Sequence, residues 1–277
     1  KYLGSISYDD RKWLILQDMT EYKIQGELNS QLGGHGHFKK LHGPIASMAK
    51  PLLPREKYFY KHIKSTPLVY CIPKYLGSIS YDDRKWLILQ DLTAGIVSPC
   101  VADLKIGTRT FEVGVSYEKA SRQISLLNNT TTPTHAIRCI DICTRKNGAL
   151  VQHWDRNEGR KMTPEQLKKA LKVFIGDSLK RKTKFNEELI TLINRLNETE
   201  KMYPNLRLYS ASVLLVYDGD KENSGILVKL IDFGHAYIDV EAEGGNPKDS
   251  SFDDNALIGL KNLYKFVRSE ERRVGKE

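Results

Sequence analysis

The stretch Pro99-Cys-Val-Ala-Asp-Leu-Lys-Ile-Gly107 holds the residues of this chain best suited to chemistry, spaced as P-x-x-x-D-x-K-x-G. Pro99 can open a strand, because it fixes φ and lacks the amide donor that a strand interior uses. In an extended segment Asp103 and Lys105 stand two apart, so both side chains leave the same face. A carboxylate beside an ammonium suits chemistry on a hydroxyl near a phosphate: one orients the hydroxyl, the other neutralises charge. Gly107 then lets the backbone turn away without placing a side chain in the site. Taken alone, the segment reads equally well as a buried strand carrying one surface ion pair.

A further acid lies far downstream, in Leu230-Ile-Asp-Phe-Gly-His-Ala236. The apolar runs Val213 to Tyr217 and Gly225 to Ile231 predict two strands joined by a polar turn, and Asp232 falls where the second one ends. An aspartate in Asp-Phe-Gly is how kinases hold the magnesium that bridges the nucleotide phosphates. Alone, such an aspartate is only a turn residue. It gains weight by following both the Asp-x-Lys-x-Gly segment and the strand Ser210-Ala-Ser-Val-Leu214.

In that order, the three segments resemble the hallmarks of the inositol polyphosphate kinase family, the second of them loosened. The run Asp103-Leu-Lys-Ile-Gly-Thr-Arg109, followed by Glu118-Lys-Ala-Ser-Arg-Gln123, is most similar to inositol hexakisphosphate kinases. So are Gln31-Leu-Gly-Gly-His35, Ala49-Lys-Pro-Leu52 and Arg55-Glu-Lys-Tyr-Phe-Tyr60. The resemblance implies an α+β, two-lobed kinase-like fold over residues 26 to 267. A small β-rich lobe, 26–92, would bind nucleotide. A larger α+β lobe, 93–267, would carry catalysis and an inositol phosphate-binding helical segment.

It also implies ATP and Mg2+ as cofactors, and a small-molecule inositol polyphosphate as partner. Carried over residue by residue, Lys50 and Glu56 would form the lysine–glutamate pair that holds the nucleotide α- and β-phosphates. The hinge at Gln90, Asp91 and Leu92 would bind adenine through its backbone, with Asp91 accepting from the ribose hydroxyls. Asp232 would hold Mg2+, and Asp103 and Lys105 would be catalytic. Lys105, Arg156, Arg160 and Lys161 would bind the acceptor; Arg160 matches the family's Gly-Arg element. In inositol hexakisphosphate every ring position is already esterified, so the nucleophile would be a phosphate oxygen. Asp103 would then have no hydroxyl proton to remove, and the basic residues would matter more than the base. A multikinase or trisphosphate 3-kinase shares all three motifs and is the alternative; a non-catalytic polyanion-binding module is a remote one.

The elements that must position these residues are legible from periodicity. Pro54 opens a helix with Phe59 and Ile63 on one face. Ser116 to Leu127 predicts a helix with Ala120 and Ile124 inward, and Thr134 to Cys143 alternates as a strand. Thr163-Pro164 caps a helix with the stripe Leu167, Leu171, Phe174. Residues 180–200 form another, with Leu189, Leu192, Ile193 and Leu196 inward, and a last helix covers 257–266. Gly33, Gly34 and Gly36 would let backbone amides approach phosphates, on a spacing too loose to be specific.

With 277 residues, 40% of them hydrophobic, the chain can bury a large core. Its net charge of +9 implies attraction to polyanions, without choosing among nucleic acid, anionic lipid and a polyphosphorylated small molecule. Nucleic acid has only that charge behind it, with no aromatic-interleaved motif. No His-Arg-Asp loop points to a protein kinase. No apolar window is long enough to span a bilayer. Cys71, Cys100, Cys139 and Cys143 sit in strand-like runs and suit reduced thiols, so an intracellular location, cytoplasmic or nuclear, is expected. A monomer is the expected state.

Residues 1–18 recur identically at 74–91. A structural repeat drifts at surface positions, and this one has not. The small lobe offers one slot for the hairpin, and the second copy, which leads into the Pro99 motif, is expected to fill it. Residues 1–25 are expected to stand outside the fold. The tail 268–277 reads as translated adapter sequence and carries no part of the functional argument.

Overall fold

The structure, a computed structural model, describes residues 6–8, 11–13, 23–27, 39–42, 45–81, 83–244 and 254–268. Strands β1 (Ile6–Tyr8) and β2 (Arg11–Trp13) form a two-stranded antiparallel sheet. The small lobe follows with β3 (Lys23–Glu27), β4 (Lys39–His42), β5 (Ser47–Pro51) and helix α1 (Pro54–His62). Two 3-10 turns, Ile63–Ser65 and Pro67–Cys71, lead to β6 (Tyr75–Tyr81) and β7 (Arg84–Gln90). Its sheet is antiparallel throughout, in the order β3-β4-β5-β7-β6. Strand β3 pairs with β4 from Lys23 onward, so the lobe begins before residue 26, the start expected from sequence.

The central strand of this sheet shows how the pattern works. In β7, Trp86 and Ile88 join Leu41 and Ala49 on one face, while Leu87 and Leu89 enter the main core on the other. A strand flanked by neighbours and covered on both faces needs such an unbroken apolar run. The duplicated segments adopt one register: Ile6 faces Trp13 and Tyr8 faces Arg11, just as Ile79 faces Trp86 and Tyr81 faces Arg84. Only the second copy enters the five-stranded sheet. It alone is followed by the chain that crosses into the larger lobe.

The larger lobe opens at β8 (Pro99–Ile106), whose first residue is the proline, followed by α2 (Tyr117–Leu127) and the turn α3 (Thr132–His135). Next come β9 (Ile137–Lys146), β10 (Ala149–Trp154), α4 (Arg156–Lys161), α5 (Pro164–Ile175) and α6 (Leu179–Met202). The chain continues through β11 (Arg207–Tyr209), β12 (Ser212–Asp218), β13 (Leu227–Ile231), β14 (His235–Tyr237) and α7 (Ala256–Arg268). A five-stranded antiparallel sheet, β10-β9-β8-β12-β13, is its centre, and β11 pairs with β14.

One face of that sheet, through Ala102, Leu104 and Ile106 of β8, packs into a core with Leu171, Phe174, Leu192 and Leu260 from the helices. Alternation therefore sends Asp103 and Lys105 off the other face, toward the small lobe. Helix α5 starts as its residues dictate: Thr163 and Gln166 form a reciprocal capping box that spans Pro164, the first helical residue. At the end of β8, Gly107 has φ +85°, and a Cβ there would run into the Asp254 carbonyl oxygen.

Two expectations are corrected. Ile124 is not inward: it is 50% exposed, and α2 buries none of its residues. Amphipathic spacing marks a face but does not supply an element for it to pack on. The strand read from Thr134 begins instead at Ile137, because Thr132–His135 closes a helical turn that ends at Ala136 with φ +52°.

Candidate active site

Both lobes contribute to one charged cluster. Strand β5 supplies Lys50, α1 supplies Glu56, β8 supplies Asp103 and Lys105, β12 supplies Ser212, and Asp232 follows β13. Lys50 Nζ donates to Glu56 Oε1 at 3.0 Å and to Asp232 Oδ1 at 3.2 Å. Lys105 Nζ reaches the other oxygen of Asp232 at 3.5 Å and Ser212 Oγ at 3.1 Å. Asp232 itself has φ +64°, a left-handed backbone that costs a non-glycine residue and concentrates at functional sites.

Charge environment separates the acids. Burial alone would raise the pKa of Asp232, but Lys50 and Lys105 outweigh it and hold the carboxylate down at about 2. Burial likewise opposes the Lys50 ammonium, and Asp232 with Glu56 overcomes it, keeping the lysine above its ordinary value. Asp103 goes the other way. It is 2% exposed, and burial, resisted by Lys105 and reinforced by Asp232, pushes its pKa up to about 7. Two aspartates on one cluster therefore differ in kind: one permanently ionised, the other able to exchange a proton near neutrality.

A cavity of about 440 Å³ opens in front of this cluster. Its wall runs from Lys50, Lys105 and Asp232 to three arginines, Arg138, Arg156 and Arg160. Arg138 is 6% exposed, and its Nε has no hydrogen-bond partner among the described residues. Burial, then the positive charges of Arg160 and Arg156, pull its pKa down to about 10. Arg156 is lowered by the same causes, burial and then Arg160. Guanidinium groups that destabilise one another's charge face a space that an anion would relieve. Helix α2 closes a further side through Gln123, Leu126 and Leu127, with Thr110 Oγ1 bonded to Gln123 Oε1 at 3.0 Å.

The inositol polyphosphate kinase family profile matches residues 86–268. This chain belongs to the inositol polyphosphate kinase family. Among curated relatives, mouse inositol hexakisphosphate kinase 3 is 26% identical over 209 residues, which is 67% of this chain and 50% of that protein. The inositol polyphosphate multikinase of Schizosaccharomyces pombe is 26% identical over 247 residues, 78% of this chain and 87% of that one. The chain thus spans about half the length of the first relative and most of the second. The fold is that of a solved family member, the S. cerevisiae inositol phosphate multikinase Ipk2 in complex with ADP and Mn2+. The match has a TM-score of 0.65 at 23% identity and covers 80% of this chain and 98% of that one.

Of the residues singled out from sequence, Lys50, Lys105, Arg156, Arg160 and Asp232 line the cavity, and Glu56 and Asp103 are buried beside the cluster. Lys161 ends α4, exposed and off the cavity wall. Gln90, Asp91 and Leu92 also lie off that wall, at the end of β7 and the turn beyond it. There the Asp91 amide donates to Ala46 O at 2.9 Å, and Asp91 Oδ1 accepts from the Thr93 amide at 2.8 Å and its hydroxyl at 2.7 Å. Asp18 of the first copy and Gly33, Gly34 and Gly36 lie outside the described residues.

Arg138 escaped sequence reasoning. Alternation along β9, with Ile137 and Cys139 on one side, puts Arg138 on the other. Nothing local showed that this side faces Lys105, its partner across the sheet.

Proposed function

We propose that this chain transfers the γ-phosphoryl group of ATP to a polyphosphorylated inositol, with inositol hexakisphosphate as acceptor and a diphosphoinositol polyphosphate as product. The observation that carries this reading is the placing of Arg138, Arg156 and Arg160 across one cavity from Lys50, Lys105 and Asp232. Such an arrangement suits two polyanions meeting end to end, where repulsion between them is the main obstacle.

A divalent ion, magnesium in this proposal, suits Asp232. The carboxylate is held ionised at the cavity wall, and one protein carboxylate together with phosphate oxygens is an ordinary coordination set for Mg2+. When bound, the ion supplies charge neutralisation between the transferring phosphates. Lys50, steadied by Glu56, balances the charge of the nucleotide phosphates, and the hinge Gln90-Asp91-Leu92 receives adenine and ribose. Lys105 faces the transferring group from the floor of the site. Arg138, Arg156 and Arg160 orient the acceptor, with Lys161 adding charge at its outer edge. With a phosphate oxygen as nucleophile, Asp103 orients the acceptor and takes no proton.

The pKa of Asp103, about 7, supports a second reading, in which a less phosphorylated inositol is phosphorylated on a ring hydroxyl and Asp103 takes its proton. A pure polyanion-binding module has no use for an ionised aspartate between two lysines. Four buried, free cysteines fit a reducing compartment, cytoplasm or nucleus. Among the described residues no helix is long and apolar enough to cross a membrane.

The test is incubation of the protein with ATP, Mg2+ and, separately, inositol trisphosphate and hexakisphosphate, with products resolved by anion exchange. A more anionic product from hexakisphosphate supports pyrophosphate synthesis. Turnover of trisphosphate alone moves the assignment to ring-hydroxyl phosphorylation, and silence with both acceptors contradicts kinase activity.

A further inference from the structure

Helix α1 carries Glu56, the partner of Lys50, in its first turn. Leu53, at the N-cap, makes no side-chain cap, and a helix of nine residues is marginal without tertiary contacts. Its second turn is seated: Phe59 is fully buried and stacks on Phe233 at 4.3 Å. The first turn is held within the small lobe by Glu56, buried against Lys50, and by Lys57 on Ser78; Arg55, next to Glu56, ties it to the larger lobe.

Arg55 Nη1 donates to Glu243 Oε2 at 2.7 Å, and Arg55 Nε lies 3.8 Å from Glu112 Oε2. The guanidinium plane sits 3.8 Å over the Tyr237 ring. Both carboxylates are placed by the larger lobe itself. Glu243 Oε1 accepts the Ile238 and Asp239 amides at 3.1 and 3.3 Å, a fixed loop just beyond Asp232. Arg109 donates to the carbonyls of Phe111 and Glu112 at 2.9 and 3.4 Å, and the Val113 amide donates to Tyr237 Oη at 3.2 Å. Arg55 therefore enters a receptor built in advance, and a planar guanidinium suits it better than a lysine, because it pairs and stacks at once.

We propose that Arg55 is a positioning residue that locks the first turn of α1 to the larger lobe, and so sets the Lys50–Glu56 pair for the nucleotide phosphates. The part concerning nucleotide rests on the proposed kinase function. Because Glu112 belongs to the loop that leads into α2, the same lock ties the nucleotide site to the wall of the acceptor cavity. Arg55 touches neither reactant; it acts through Glu56 and Lys50.

The test compares wild type with Arg55→Met, Arg55→Lys and Glu243→Gln. Amide exchange of α1 is followed by mass spectrometry without nucleotide, and Mg2+–ADP binding by calorimetry. Arg55→Met should speed exchange of the amides of residues 57–60, which bond the carbonyls of the cap and first turn, and weaken ADP about ten-fold, with Glu243→Gln in the same direction and Arg55→Lys between the two. In a Lys50→Ala background, Arg55→Met should add almost nothing to the loss of affinity, since both act through one pair. Unchanged α1 exchange in Arg55→Met overturns the lock, and full additivity with Lys50→Ala overturns its route through Lys50. A wild type that fails to bind Mg2+–ADP contradicts the kinase reading, and α1 exchange then still decides the lock.

Discussion

Replacing Asp103 with asparagine should make this protein more stable at neutral and alkaline pH, the reverse of what most buried substitutions do. The carboxylate is 2% exposed, one of its oxygens has no hydrogen-bond partner among the described residues, and its pKa stands at about 7. In the unfolded chain it returns to the ordinary 3.8. The folded value lies above the unfolded one, so the folded state binds the proton more tightly. That contribution is fully present below about pH 4 and is lost as pH rises through about 7. At about 1.36 kcal/mol per unit, the ionised carboxylate costs the fold on the order of 4 kcal/mol as an upper value, already net of the help from Lys105.

Asparagine keeps the shape without the charge. Urea denaturation of both proteins, from about pH 4.5 to 8.5, should show the advantage of the variant growing by roughly 2–4 kcal/mol across that range. A difference that stays flat, or a variant that loses ground as pH rises, would refute the claim that desolvation dominates at Asp103. The same variant reads the chemistry. With a hydroxyl acceptor its rate should fall by roughly 10²–10⁴, and with a phosphate acceptor by far less.

Three further outcomes are expected. Lys105→Ala removes a charge aimed at the transferring group and should cost roughly 10²–10³ in kcat; an unaltered rate would remove Lys105 from the site. Arg138→Met should raise KM for the acceptor by about 10- to 100-fold while leaving KM for ATP near wild type, as steady-state kinetics with each substrate varied will show. Gly107→Ala sets a Cβ against the Asp254 carbonyl at φ +85° and should destabilise the fold by about 2–4 kcal/mol, read as a lower Tm.

What the sequence determined by itself is what depends on near neighbours. Pro99 opens β8, Thr163 and Gln166 cap α5, and the two copies of one hairpin take one register, because each follows from residues a few positions apart. The spacing of Asp103 and Lys105 fixed their shared face for the same reason, and ordered motifs linked them to Asp232. The tertiary structure decided the rest. It admitted one hairpin copy to the sheet and left Ile124 exposed on a helix with the right periodicity. It set Arg138 beside Lys105 through cross-strand register, and carried Arg55 to Glu243, a residue distant in sequence. It also split the two aspartates into an ionised acid and one that titrates near neutrality. Burial, register between distant strands and local charge are sums over residues that only folding brings together, and spacing along the chain does not encode those sums.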